Sequence, residues 1–199
     1  NVTYNVTDAN GYAAVEVTRT VKVVDTTVPV ITLTGEATVT IEVRSTYTDG
    51  GTTASSTSES DVSKSQVTVN PVDTDVVGTY TVTYNVTDAN GNAAVEVTRT
   101  VNVVDTTVPV ITLLGEATAT IEVGSTYTDA GATATDNYDG DITSSIVTVN
   151  PVDTDVVGVY TLTYNVTDAN GNAAVEVRRK VNVEDALYVV AIDVFVTHI

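Results

Sequence analysis

The sequence predicts an all-β chain built from tandem sandwich domains. Three observations carry this: an internal period of 80 residues, alternation of Val and Thr at strand spacing, and turn signals between the alternating runs. The block from Asp25 to Val104 returns almost letter for letter as Asp105 to Glu184, and the phrase YNVTDANG opens at Tyr4, Tyr84 and Tyr164. Each period is therefore one folding unit, and the chain is a string of them. Residues 1–24 match only the closing hairpin of a repeat, 25–104 and 105–184 are full copies, and 185–199 begins like a third copy before diverging. A chain cut this way reads as a piece of a longer protein.

Within a repeat the elements follow in order. Pro29 and Pro109 stand near the repeat starts, where an edge strand can do without one donor. In 117–123, Ala117, Ala119, Ile121 and Val123 share one face, against Thr118, Thr120 and Glu122 on the other. In 159–167, Tyr160, Leu162, Tyr164 and Val166 alternate with Thr-rich positions, the mark of a half-buried strand. Asn-Gly at 90–91 and 170–171 separates two such runs and signals a hairpin, because both residue types tolerate positive φ. The last strand carries Arg19, Arg99 and Arg179 at equivalent places, in register with Val95, Val97, Val101 and Val103, which are expected to point inward. An Arg on a core-facing stripe needs a carboxylate partner or a bulge that turns it out; an ion pair at a sheet end is expected. About seven short strands in roughly 80 residues is the rhythm of an immunoglobulin-like sandwich. Tyr80 and Tyr160, after Asp-Val-Val-Gly, resemble the tyrosine corner of that fold.

The phrases DTTVPVITLLGEATATIEVGSTYTDAGATATDNYDGDITSSI and VGVYTLTYNVTDANGNAAVEV resemble the bacterial immunoglobulin-like repeat, over residues 1–184. That resemblance implies tandem sandwiches of the kind found in large surface adhesins, in accessory modules of secreted hydrolases and in some pesticidal crystal toxins.

Composition excludes several functions. With 26 acidic against 8 basic residues the net charge is −18, which disfavours nucleic acid and anionic membranes as partners. No apolar run reaches the ~18 residues of a membrane helix. The chain has no Cys and a single His, His198, outside every repeat, so neither a thiol nucleophile nor a repeated imidazole base is available. No Gly-rich phosphate loop occurs. An enzyme is not expected.

Two places could hold a hard cation such as Ca²⁺. The first is the loop DNYDGD, with Asp136, Asp139 and Asp141, Asn137 as a helper, and Gly140 for a sharp turn. It is not an EF-hand, since the twelfth position would be Val147 rather than Glu. The equivalent stretch of the first repeat is Ser56, Thr57, Ser58, Glu59, Ser60 and Asp61, so binding there should be poorer. The second place is the repeat junction, where Asp105 should lie near Asp168 and Asn170, and Asp25 near Asp88 and Asn90. A solvated acidic turn is the plain alternative for both.

Two further features complete the sequence. Asn-Val-Thr at 1, 5, 85 and 165 fits a glycosylation acceptor, but a Val/Thr-rich strand makes this triplet readily. The tail 186–199 is apolar on both faces, so it should be buried on both faces or add to another chain as a strand; the first strand of a different domain is the simpler reading.

The function expected is structural: an extracellular or cell-surface segment forming a rod, stalk or filament, whose partners are neighbouring copies, adjacent repeats, or a surface or matrix ligand. Residues 5–24 and 85–104 differ only at Tyr12 for Asn92 and Lys22 for Asn102, a uniformity that suits a spacer. The alternative is a polysaccharide-binding accessory module of a secreted enzyme. It is disfavoured because the chain lacks Trp, and only Tyr12 and Tyr138 look like exposed loop aromatics.

Overall fold

A computed structural model describes residues 1–57 and 62–185. It is all-β, and the chain divides between Val103 and Val104 into two units.

The first unit opens with a hairpin of β1 (Val2–Tyr4) and β2 (Val17–Arg19), paired antiparallel with side chains exposed. The sandwich that follows uses β3 (Val30–Leu33), β4 (Thr38–Glu42), β5 (Thr52–Ser55), β6 (Gln66–Val69), β7 (Gly78–Val86) and β8 (Val97–Val104). One sheet pairs β3 with β5; the other runs β4-β8-β7-β6. The second unit repeats this with β9 (Val110–Leu113), β10 (Thr118–Glu122), β11 (Ala132–Asp136), β12 (Gly140–Asp141), β13 (Val147–Val149), β14 (Gly158–Asn165) and β15 (Val177–Glu184). Its sheets are β12-β11-β9 and β10-β15-β14-β13. β10 runs parallel to β15, Thr118 facing Lys180, while β14 and β15 are antiparallel. Pro29 and Pro109 stand immediately before β3 and β9, which lie at sheet edges.

Alternation decides what each sheet buries. Along β14, Leu162 and Tyr164 are buried, followed by Val166, while Val159 and Thr161 face out. These meet Ile111, Ala134 and Val181 in the second core; Ile31, Val62, Val82, Tyr84, Val86 and Val101 form the first. In β8, Val101 and Val103 point inward as expected, but Val95 is 81% exposed because the strand begins only at Val97.

The tyrosine corner is present in both units. Tyr80 donates from its hydroxyl to the Val76 carbonyl and Tyr160 to Val156, each at 2.9 Å. The hairpin expected at Asn-Gly joins the last two strands in both units. Gly91 takes φ 90° and Gly171 φ 94°, but Asn90 and Asn170 do not take positive φ. Asp88 and Asp168 instead organise the turn. The Asp168 Oδ1 accepts from the N–H groups of Asn170 at 2.9 Å and Asn172 at 2.7 Å, and its backbone pairs with Asn172. This is an Asx-stabilised turn closed by a left-handed glycine. Residues 58–61 and the tail 186–199, including the expected strand addition, lie outside the described residues.

Candidate functional site

Of the three recurring arginines, Arg19 is exposed on β2, while Arg99 and Arg179 are the most buried charges among the described residues. Arg99 and Arg179 are each 2% exposed. Each makes the ion pair expected of it, near the start of its strand, and each is engaged on several sides. Arg99 pairs through Nη1 with Asp49, and donates from Nε to the Glu36 carbonyl at 2.9 Å and from Nη2 to those of Thr34 and Gly51. Arg179 repeats the pattern with Asp129, Glu116 at 3.0 Å, Leu114 and Gly131. The Tyr84 hydroxyl donates to Asp49 at 2.7 Å and Tyr164 donates to Asp129 at 2.7 Å. Each guanidinium also stands over a tyrosine ring, at 5.9 Å for Tyr84 and 5.7 Å for Tyr164. Burial alone would raise the two aspartates, but the tyrosine hydroxyls and the arginine hold both below the usual carboxylate range. Burial and the adjacent aspartate together push Tyr84 and Tyr164 well above the ordinary phenol value. Such a network fixes β8 and β15 to the loops before β5 and β11. Its donors are turned onto protein acceptors, and it reads as framework. Beside Arg99 a shallow cleft of about 320 Å³ opens between Glu36, Ile41 and Tyr47.

The second constellation is acidic. Asp105, Asp136, Asp139 and Asp168 bring one carboxylate oxygen each to within 4.8 Å of one another. They come from three places: the start of the second unit, the end of β11 with its following turn, and the β14–β15 hairpin. The two regions that look separate in the sequence thus converge on one point. Asp141 does not join this group. Its Oδ1 accepts from the Thr143 N–H at 2.9 Å, two residues on, beside a short 3-10 turn at Thr143–Ser145. Asn170 contributes as a positioning donor, its amide reaching Asp105 Oδ2 at 2.9 Å. Asn137 is exposed on the turn itself, and Tyr138 beside it is half-buried rather than exposed.

Each carboxylate is held by protein donors. Asp136 Oδ1 accepts from the N–H groups of Tyr138 at 2.7 Å and Asp139 at 3.0 Å. Asp139 Oδ2 accepts from the Ala169 N–H at 2.8 Å, tying this loop to the hairpin. Asp105 Oδ1 accepts from Thr107 N–H at 3.2 Å. Asp168 Oδ2 accepts from the Asn172 amide at 2.8 Å. The electrostatics are crowded. Burial raises the Asp105 carboxyl above its ordinary range, and Asp136 and Asp168 push the same way against the pull of Thr107 and Asn170. Asp168 is lowered overall, since its donors from Asn172 and Asn170 outweigh burial. The first unit keeps Asp25, Asp88 and Asn90, with the Asn90 amide 3.3 Å from Asp25 Oδ2, but has Ser56 where the second has Asp136.

Comparison with known proteins identifies the family. The family model "Bacterial surface protein, Ig-like domain" matches residues 31–103 and again 111–183. The chain belongs to this bacterial surface immunoglobulin-like family, which is not a catalytic one. It is 33% identical to hyalin of Strongylocentrotus purpuratus, over 87% of this chain and 15% of that protein's length. Among solved structures, the lipoprotein BT2262 of Bacteroides thetaiotaomicron is 28% identical, covering 40% of this chain and 39% of that one, with a TM-score of 0.36. A structure holding CBM51-2 in complex with GlcNAc and INT domains, from Clostridium perfringens ZmpB, is 31% identical, covering 39% and 17%, with a TM-score of 0.33. No helix among the described residues is long and apolar enough to cross a membrane.

The sequence calls for a carboxylate beside each arginine without naming it. Asp49 and Asp129 were discoverable. Thr-Tyr-Thr-Asp recurs at 46–49 and 126–129, and each Asp lies 50 residues before its arginine.

Proposed function

We propose that this chain is a segment of an extracellular, cell-surface repeat protein whose immunoglobulin-like modules serve as a rod, stalk or filament. The observation that carries this reading is the duplication of framework rather than of a cleft. Both units carry the same buried Arg–Asp–Tyr network, tyrosine corner and Asx-closed hairpin, with near-identical sequence. Modules that repeat their stabilising parts suit a role in spacing and linkage. The name of the matched family, a surface protein domain, supports the location. The partners in this reading are adjacent repeats, neighbouring copies of the chain, and a surface or matrix ligand carried elsewhere in the parent protein.

Small-angle scattering of the chain tests it. The expected pair-distance function has two maxima, from distances within and between beads. A single compact globule would contradict the stalk. The accessory-module alternative is read out separately, by a pull-down on insoluble polysaccharides; retention there would favour it over a spacer.

A further inference from the structure

We propose that Asp105, Asp136, Asp139 and Asp168 bind one Ca²⁺ ion in the second unit. The inference concerns the module itself and stands whether or not the chain serves as a stalk. Acidic clusters are common on a chain of net charge −18, so proximity alone would not assign a site. The deciding observation is Asp136. The residue is 9% exposed, and its Oδ2 is buried without a hydrogen-bond partner, although Oδ1 takes two N–H donors. A buried carboxylate oxygen left bare is costly, and a cation is the partner that such an oxygen and three facing carboxylates share. The fold spends backbone and amide donors on holding these groups together instead of letting them part: Ala169 N–H on Asp139, Asn170 on Asp105, Asn172 on Asp168.

The chemistry selects the ion. All four ligands are carboxylates; none is imidazole or thiolate, which argues against zinc and copper. Their oxygens lie within 4.8 Å of one another, the width of a calcium–oxygen shell with bonds of about 2.4 Å. Magnesium demands a tighter, near-octahedral shell at about 2.1 Å and holds its waters, which suits a cluster drawn from three chain segments less well. The four carboxylates bring one oxygen each, which leaves water to complete the roughly six to eight oxygens that calcium takes.

The first unit serves as an internal control. Asp25 and Asp88 are retained, but Ser56 replaces the residue whose bare oxygen defines the site. Binding is therefore expected once per chain. The ion would fasten the first residues of the second unit to its β11–β12 turn and its last hairpin, three segments otherwise joined here by hydrogen bonds.

The test uses the full chain, stripped with a chelator and titrated with calcium chloride at physiological ionic strength. Calorimetry should give one site, and a calcium-dependent rise in thermal midpoint should accompany it. Asp136→Asn should weaken binding at least tenfold and abolish that rise, while Asp153→Asn, at an acidic residue outside the cluster, should leave both unchanged. Should Asp136→Asn fail to give a wild-type circular-dichroism spectrum without calcium, Asp139→Asn takes its place with the same expected loss. Terbium luminescence excited through tyrosine gives a second readout, expected in the wild type and lost in the variant. No binding at millimolar calcium, two equal sites, or cluster variants that bind like the wild type would overturn the assignment.

Discussion

At the scale of single residues, the molecule depends on a charge placed where charges are rarely tolerated. A buried arginine is stable only with its partner present, and removing one member of a buried pair typically costs about 3–5 kcal/mol. Asp49 and Asp129 keep their protons off more readily in the fold than in an unfolded chain. As pH falls, the unfolded chain therefore takes up these protons first. The stability conferred by the pair is complete above the unfolded carboxylate value of about 4 and is lost as pH drops through the lower folded value. Urea midpoints of the wild type and of an Asp49→Asn/Asp129→Asn double variant should stand well apart at pH 6 and draw together as the pH falls below the ordinary carboxylate value of about 4. A gap that stays constant to pH 2 would show that the carboxylates contribute through shape alone.

At the scale of elements, the strands were legible and the loops less so. Period-two alternation located β10 and β14 and told which face of each turned inward, half-buried in β10 and fully buried at Leu162 and Tyr164 of β14. The tyrosine corner was legible as well: Asp-Val-Val-Gly-x-Tyr places a hydroxyl back over its own loop. Tyr160→Phe should lower the stability of the second unit by about 1 kcal/mol, the worth of one hydrogen bond; an unchanged denaturant midpoint would deny it. Turn chemistry was harder. Asn-Gly signalled the hairpin but not its form: Asp168 supplies acceptors that stabilise a turn in which glycine alone takes positive φ. The acidic cluster shows the same limit. Asp136 and Asp139 were visible in one loop, Asp105 and Asp168 at a junction, but their meeting depends on how β11 and the β14–β15 hairpin pack, which spacing does not encode. Asp141, two residues beyond Asp139, turns away to accept from the Thr143 N–H.

At the scale of the whole molecule, each module carries its own core and its own buried arginine. A domain of about 80 residues holds roughly 4–12 kcal/mol in total, so loss of one buried pair consumes a large share of one module and none of the other. The most direct measurement is a urea titration of the Asp129→Asn chain followed by two-dimensional NMR, with resonances assigned to each unit. The expected result is early unfolding of the second unit, its midpoint lowered in proportion to about 3 kcal/mol, while signals of the first unit keep the wild-type midpoint. If both sets of resonances disappear together at one lowered midpoint, the units are not independent beads, and the chain is not a string of self-sufficient modules.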